Sequence, residues 1–492
     1  MLGGRRVATA VLLAVFSAIG SVRPVAAQAE VPPDVEPRVP PAVGPNGEAP
    51  AAPREPRVVK LTVSPAAESV PALKYDLVFR ADELTAGNAA DELTAVFREY
   101  SESLTDEAKE EIDGWTRAPL ADLPRLRAEQ VMAEHARILT DLKAALSRRE
   151  CQWPDPRNPA KPAEDIMPVL GEARDVARLL EAKTRLHVAA GQYAEAAETL
   201  RLGYALARRI GQSRTLISYL VSVALASRMN AVVREFVGGP DSLNLYWSLA
   251  GLADPFVDVC ATVEEESASI YRRYPGFRDP EKRLVTVEQW LEMVIPAGED
   301  EEGAAKPTVA QMEGQLRRMA PKARRYLLAH GRTEAELDKM PVPLVCGLYV
   351  HTMLDEQRDE WLKWFRLPYS VRKEKLRATS ERIRKAAEGN IANNVFAFLQ
   401  AQVLPALART DEHVARLGRE IAMLRCVEAL RMHAAGHDGA FPEKLGDVKA
   451  VPVPLDPVTG EAFAYELRDG VATLSAGKAP EEQVLYEIRV RE

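Results

Sequence analysis

His351 and Asp355 stand four residues apart in a stretch whose apolar periodicity is helical, so both side chains reach one helix face. An imidazole with a carboxylate to orient it supplies a general base for a hydrolase. Glu356, Asp359, Trp361 and Trp364 follow on the same helix. Acids beside Arg358 and Lys363 equally make solvated i, i+4 ion pairs, and that alternative stays open. His433 and His437 repeat the spacing of four, which suits two ligands of one metal ion. No glutamate follows His433 to make a zinc-protease helix, and only Cys426 or Glu428 stands near as a third ligand. His437 also falls at an expected helix C-terminus, where an imidazolium meets the dipole favourably. Tyr246, Trp247, Tyr271, Tyr274 and Phe277 would line a partner or ligand groove between helices, or fill an ordinary core. Glu264, Glu265 and Glu266 read as a charged helix surface. No Gly-x-x-x-x-Gly-Lys, Gly-x-Gly-x-x-Gly or Gly-x-Ser-x-Gly occurs, so the common nucleotide and α/β-hydrolase routes have no support.

The elements that must position these residues are mostly helices. Of 492 residues, 47% are hydrophobic and 28% charged, which excludes a wholly disordered chain and a polytopic membrane protein. The net charge of −8, without a long basic block, excludes neither solubility nor partners but argues against nucleic acid and anionic membrane surfaces. Residues 1–29 have the form of a secretory signal peptide: Arg5-Arg6, an apolar run from Val7 to Ile19, and the small-x-small site Ala27-Gln28-Ala29. An uncleaved anchor helix is the alternative. Nine prolines between 30 and 57 predict a disordered or polyproline-II linker. The expected location is the periplasm or the outside of a bacterium, with no transmembrane segment after signal cleavage. Cys151, Cys260, Cys346 and Cys426 include no C-x-x-C pair; up to two disulfides, or helical burial as free thiols, fit equally.

A β-prone stretch, 58–63, opens a segment over 58–405 that is otherwise helical. Apolar spacing predicts helices over 91–112 and 120–149, and then a break over 151–163, where four prolines fall. Three helices follow within 165–237, the first two joined at Gly191-Gln192-Tyr193 and the third ended by Gly238-Gly239-Pro240. An acidic loop spans 297–307. Helices resume over 309–330, 343–365, 370–388, 393–404 and 410–437. Strands are expected over 462–467, 471–474 and 484–490, within a small α+β domain at 409–492.

Two segments resemble known families. Leu186-x4-Gly191-x-Tyr193-x2-Ala196-Ala197 resembles a tetratricopeptide helix pair, which implies an irregular helical bundle or a solenoid of such pairs. Ala429 to His433, His437 to Leu445, Asp456-Pro457-Val458-Thr459-Gly460-Glu461-Ala462-Phe463-Ala464-Tyr465 and Leu474 to Gly477 resemble the soluble domain of type II secretion pseudopilins. That resemblance implies a long helix on a small antiparallel sheet, and calcium in the loops of some members. Here Asp456, Thr459 and Glu461 offer few oxygens for it, and no cofactor is expected. The prepilin cleavage site and apolar N-terminal helix of that family are absent. The layout, with Asn244-Leu245-Tyr246-Trp247, is similar to uncharacterised exported bacterial proteins.

Three functions follow as expectations. The first is a protein–protein interaction scaffold engaging cell-envelope proteins. The second is a periplasmic metal-dependent hydrolase using His351 with Asp355 or His433 with His437. The third is an accessory of a secretion or pilus-like system.

Overall fold

A computed structural model describes residues 57–154, 166–294, 308–388, 395–476 and 484–491. The expected leader, the proline-rich linker up to residue 56, the stretch 155–165 and the acidic loop 297–307 lie outside the described residues. The chain is mainly helical, with a small sheet built largely from its C-terminal end.

In chain order, β1 (Arg57–Val63) and β2 (Thr85–Asn88) precede α1 (Ala89–Ser103), α2 (Asp106–Arg117), α3 (Arg125–Glu134), α4 (Ala136–Leu146) and β3 (Arg148–Glu150). Next come α5 (Ile166–Ala189), α6 (Tyr193–Gly211), α7 (Leu216–Val237), α8 (Tyr246–Ala250) and α9 (Val259–Arg273). Short helices α10 (Pro275–Arg278) and α11 (Pro280–Arg283) lead to α12 (Val287–Val294), α13 (Val309–Ala329) and α14 (Glu334–Leu337). Three long helices, α15 (Val342–Phe365), α16 (Tyr369–Glu388) and α17 (Val395–Ala435), precede β4 (Ala464–Arg468), β5 (Val471–Ala476) and β6 (Val484–Val490). The backbone divides into two compact units. The larger holds Glu55–Ser267, Trp361–Ser380 and Leu404–Glu492; the smaller includes Ala268–Glu360 and Glu381–Val403.

In the larger unit α5, α6 and α7 pack on one another, with α1 and α2 against α5. Gly191 makes the α5–α6 turn at φ +72°, a backbone conformation that costs glycine little. Tyr193 then meets Phe236 of α7 edge-on, with ring centroids 5.2 Å apart. At Gly203 a Cβ would overlap Met229 of α7, so glycine sets the close approach of α6 and α7. α7 is the one helix among the described residues long and apolar enough to cross a membrane by length and composition. Two of its buried polar side chains are engaged by neighbours. Asn230 accepts from the Tyr204 hydroxyl at 2.7 Å and donates to Glu420 at 3.1 Å, while Ser222 donates to the Ala207 carbonyl at 2.6 Å.

The sheet runs in the order β1-β6-β5-β4. β4 and β5 form a hairpin turned by Asp469-Gly470, both at positive φ, the backbone a two-residue turn of this hand requires. Leu474 of β5 and Tyr486 and Ile488 of β6 are buried, each alternating with less buried neighbours. β1 lies parallel to β6, from Arg57 opposite Val484 to Val63 opposite Val490. The stretch 58–63, grouped by sequence order with the helices after it, therefore belongs with the C-terminal strands. Pairing satisfies the backbone groups along one side of β6, which would otherwise be an open edge.

Several helix boundaries differ from the periodicity. The helix expected over 91–112 is two, α1 and α2. Thr105 caps α2 by accepting from the Ala108 N–H at 3.2 Å, and Asp106 and Glu107 favour a fresh N-terminus there. The helix expected over 120–149 breaks at His135, which is buried, hydrogen-bonded to the Val131 carbonyl and edge-on to Tyr100. The helices expected over 393–404 and 410–437 are one, α17, continuous through Pro405.

In the smaller unit the core gathers Phe277, Leu284, Trp290, Leu316, Tyr349 and Val350. Gly347 lets α15 approach Leu284 and Pro280 closely; a Cβ there would stand 3.0–3.1 Å from their side chains. The Trp290 indole donates to the Pro343 carbonyl at 3.1 Å, so its one polar atom is satisfied inside the core.

All four cysteines are free thiols. Burial pushes Cys346 and Cys426 up to about 12 and Cys151 up to about 11, and it also raises Cys260. Since the thiolate is the nucleophile, alkylation by iodoacetamide at mildly alkaline pH should label half-buried Cys260 first. Cys346 and Cys426 should stay unlabelled until the protein is denatured. Rapid native labelling of Cys426, read by peptide mass, would overturn this order.

Candidate functional site

α15 carries His351, Asp355 and Arg358 at intervals of four and three residues, along one face. Within the smaller unit, Tyr271 of α9 completes the group. Its hydroxyl donates to Asp355 Oδ1 at 2.6 Å, and Arg358 Nη1 donates to the same oxygen at 2.8 Å. His351 Nε2 stands 3.7 Å from Asp355 Oδ2, an ion-pair distance rather than a hydrogen bond. The His351 ring lies 6.1 Å from that of Tyr271, and its Nδ1 is buried without a hydrogen-bond partner among the described residues. Burial, reinforced by the Asp355 hydrogen bond and charge, pushes the Tyr271 phenol well above its ordinary range. That phenol is therefore a hydrogen-bond donor held in place, not a latent phenolate.

One residue further along α15, Glu356 makes a second cluster with α13. It accepts from the Tyr326 hydroxyl and lies 3.1 Å from His330 Nε2. The Tyr326 and His330 rings stack at 4.1 Å, and His330 Nδ1 meets the Tyr326 carbonyl at 2.7 Å. Neither Tyr326 nor His330 stood out in the sequence. Their spacing of four on one helix was the available signal, but it is shared by many unremarkable pairs.

Tyr274 is buried in the core of the smaller unit with Phe277, at a ring distance of 6.0 Å. Tyr246 and Trp247 belong to the larger unit, and their role there is clear. Tyr246 is fully buried, donates to the Pro452 carbonyl, accepts from Arg425 at 3.1 Å and has the Arg425 guanidinium over its ring. Trp247 meets Tyr246 edge-on and donates to Glu68 at 2.7 Å. Just before them, Asn244 bridges two chain segments by donating to the Ala66 and Glu428 carbonyls. The Asn-Leu-Tyr-Trp stretch is thus a structural joint, with Tyr246 filling space rather than lining a groove.

His433 and His437 stack face to face, with ring centroids 3.8 Å apart and planes 5° from parallel. His437 Nδ1 meets the His433 carbonyl at 2.8 Å. Stacked rings send their nitrogen lone pairs along parallel lines, whereas two ligands must converge on one ion about 2 Å from each. Among the described residues no group of three or more His, Cys, Asp or Glu is placed to hold a metal ion.

The Asp-Pro-Val-Thr-Gly loop is held by its first residue. The Asp456 carboxylate, 2% exposed, takes a two-pronged hydrogen bond from Arg419 at 3.0 and 2.9 Å. It also accepts from the Val458 N–H and the Thr459 hydroxyl. Those bonds spend the carboxylate on folding the loop. Gly460 closes the turn at φ +75°.

No protein-family model, curated protein or solved structure matches the chain.

Proposed function

We propose that the protein is exported to the bacterial cell envelope and acts there by binding other proteins, as a scaffold rather than a catalyst. The observation that carries this reading is the engagement of the chemically capable side chains. Asp355 is committed to Tyr271 and Arg358 and does not orient His351 through a hydrogen bond. A base without its orienter lacks the arrangement a hydrolase would use. The stacking of His433 on His437 weighs likewise against that pair converging on one metal ion.

Other features support the placement and the mode of action. The leader-like residues 1–29 and the proline-rich stretch after them fit export and a tether. The α5–α6 hairpin, with glycine at its turn and tyrosine against the next helix, fits a tetratricopeptide-like pair. α17 leading into β4, β5 and β6 fits the pseudopilin-like reading of the C-terminal end, and β1 extends that sheet beside β6.

The test is in-cell cross-linking of the tagged protein, followed by pull-down and mass spectrometry. One dominant envelope partner is expected, and its capture should survive His351→Ala and His433→Ala. Absence of any partner above background would remove the reading. Loss of capture in a His351→Ala variant that still folds would move attention to the α15 cluster.

A further inference from the structure

In the smaller unit, α13 buries one face and leaves a row of cations on the other. Met312, Leu316, Ala323 and Leu327 turn into the core. Arg318, Lys322 and Arg325 are all exposed, at intervals of four and three residues. At 100° and 1.5 Å per residue, that spacing holds the three within about 60° of arc and about 10 Å of helix length. Gln311, Gly314 and Ala329 share the same face, which carries no acid. None of the three cations has a carboxylate within ion-pair distance among the described residues; the Lys322 ammonium lies 5.9 Å from the centre of the Tyr349 ring.

The neighbouring arginines of α13 are paired. Arg317 meets Glu313 at 2.6 Å, and Arg324 meets Glu334 and, at 2.6 Å, Asp338. Each precedes a member of the row by one residue and so points about 100° away around the helix. The row itself sets like charges at i and i+4, which destabilises a helix. An anion laid along it would remove that repulsion.

The shape of the surface selects among anions. Glu334 and Asp338 are exposed beside Arg324, so a flat anionic surface brought down on the row would meet them as well. The net charge of −8 likewise opposes the approach of an extended polyanion such as a nucleic acid. A narrow segment carrying a few carboxylates fits the length of the row and clears those acids. We propose that the exposed face of α13 docks an acidic segment of a partner protein, with Arg318, Lys322 and Arg325 each meeting a carboxylate. The inference rests on the protein-binding reading and adds the chemistry of the partner. Exposed ion pairs are individually weak, so the row sets the approach and register of that segment rather than supplying the whole affinity.

Fluorescence anisotropy of a rhodamine-labelled decaglutamate peptide with the full chain, at low salt and neutral pH, tests the proposal without the cellular partner, so it can fail independently of the in-cell capture. Saturable binding is expected. The combined variant Arg318→Gln, Lys322→Gln, Arg325→Gln should bind about tenfold more weakly, and salt should weaken binding to the unaltered protein. The three side chains are exposed, so these changes leave the core of the unit intact. A second combined variant, Lys60→Gln, Lys375→Gln, Lys449→Gln, removes the same charge from exposed positions elsewhere and should retain binding. Absence of saturable binding, an equal loss in the second variant, or tighter binding of single-stranded DNA or phosphatidylglycerol vesicles than of the peptide would each overturn the proposal.

Discussion

Replacing Arg431 with methionine should destabilise the larger unit by about 3–5 kcal/mol, the cost of stranding a buried charge whose partner is removed. Arg431 and Glu428 are both wholly buried on α17, 2.7 Å apart. The guanidinium also donates to the carbonyls of Ser64, Leu243 and Ser242 and to the Ser242 hydroxyl, so one side chain ties α17 to the residue after β1 and to the loop before α8. Glu428 in turn accepts from the Leu245 N–H at 3.0 Å. Methionine fills a similar volume and supplies none of these donors. Urea denaturation of the variant should show the loss as a lower midpoint. Glu428→Gln in the same chain should recover part of it, because the stranded charge is then gone. A single-variant loss below about 1 kcal/mol, the scale of an exposed pair, would show that the network contributes little.

Asp456→Ala should cost a similar amount, about 3–5 kcal/mol, by leaving Arg419 buried and unpaired. The Arg419 side chain is 4% exposed. The variant also loses the hydrogen bonds to Val458 and Thr459 that shape the loop. Thermal unfolding should drop in midpoint, and the loop before β4 should become sensitive to protease. Calcium should restore neither property and should not raise the midpoint of the unaltered protein, because Arg419 already occupies the carboxylate. A calcium-dependent rise of several degrees in the unaltered protein would overturn this account of the loop.

Helices whose own spacing carried them were legible. α5, α6 and α7 show apolar residues every three or four positions and a glycine turn, and the structure follows them closely. The three C-terminal strands were legible for the same local reason. Boundaries set by a cap or a buried side chain were not. Thr105 starts a new helix inside an unbroken apolar pattern, and His135 breaks another because its ring finds a place beside Tyr100. Of the candidate residues, His351 and Asp355 share a face as their spacing required, but the partners that define them, Tyr271 and Arg358, answer to different logic. Arg358, three residues from Asp355, makes the kind of helical ion pair that its place beside these acids allowed. Tyr271 lies 84 positions away.

By itself the sequence determined the helical character of the chain, the position of most helices, the C-terminal strands and the set of side chains able to do chemistry. These follow from local periodicity, turn residues and composition, which act over a few residues at a time. Only the tertiary structure decided that β1 joins β6, that Asn244 and Arg431 hold three distant segments together, and that Asp355 and Asp456 are committed to arginines. Each of those outcomes depends on which groups lose water together. A buried charge or backbone edge takes whatever partner the packing brings within about 3 Å, however distant in sequence.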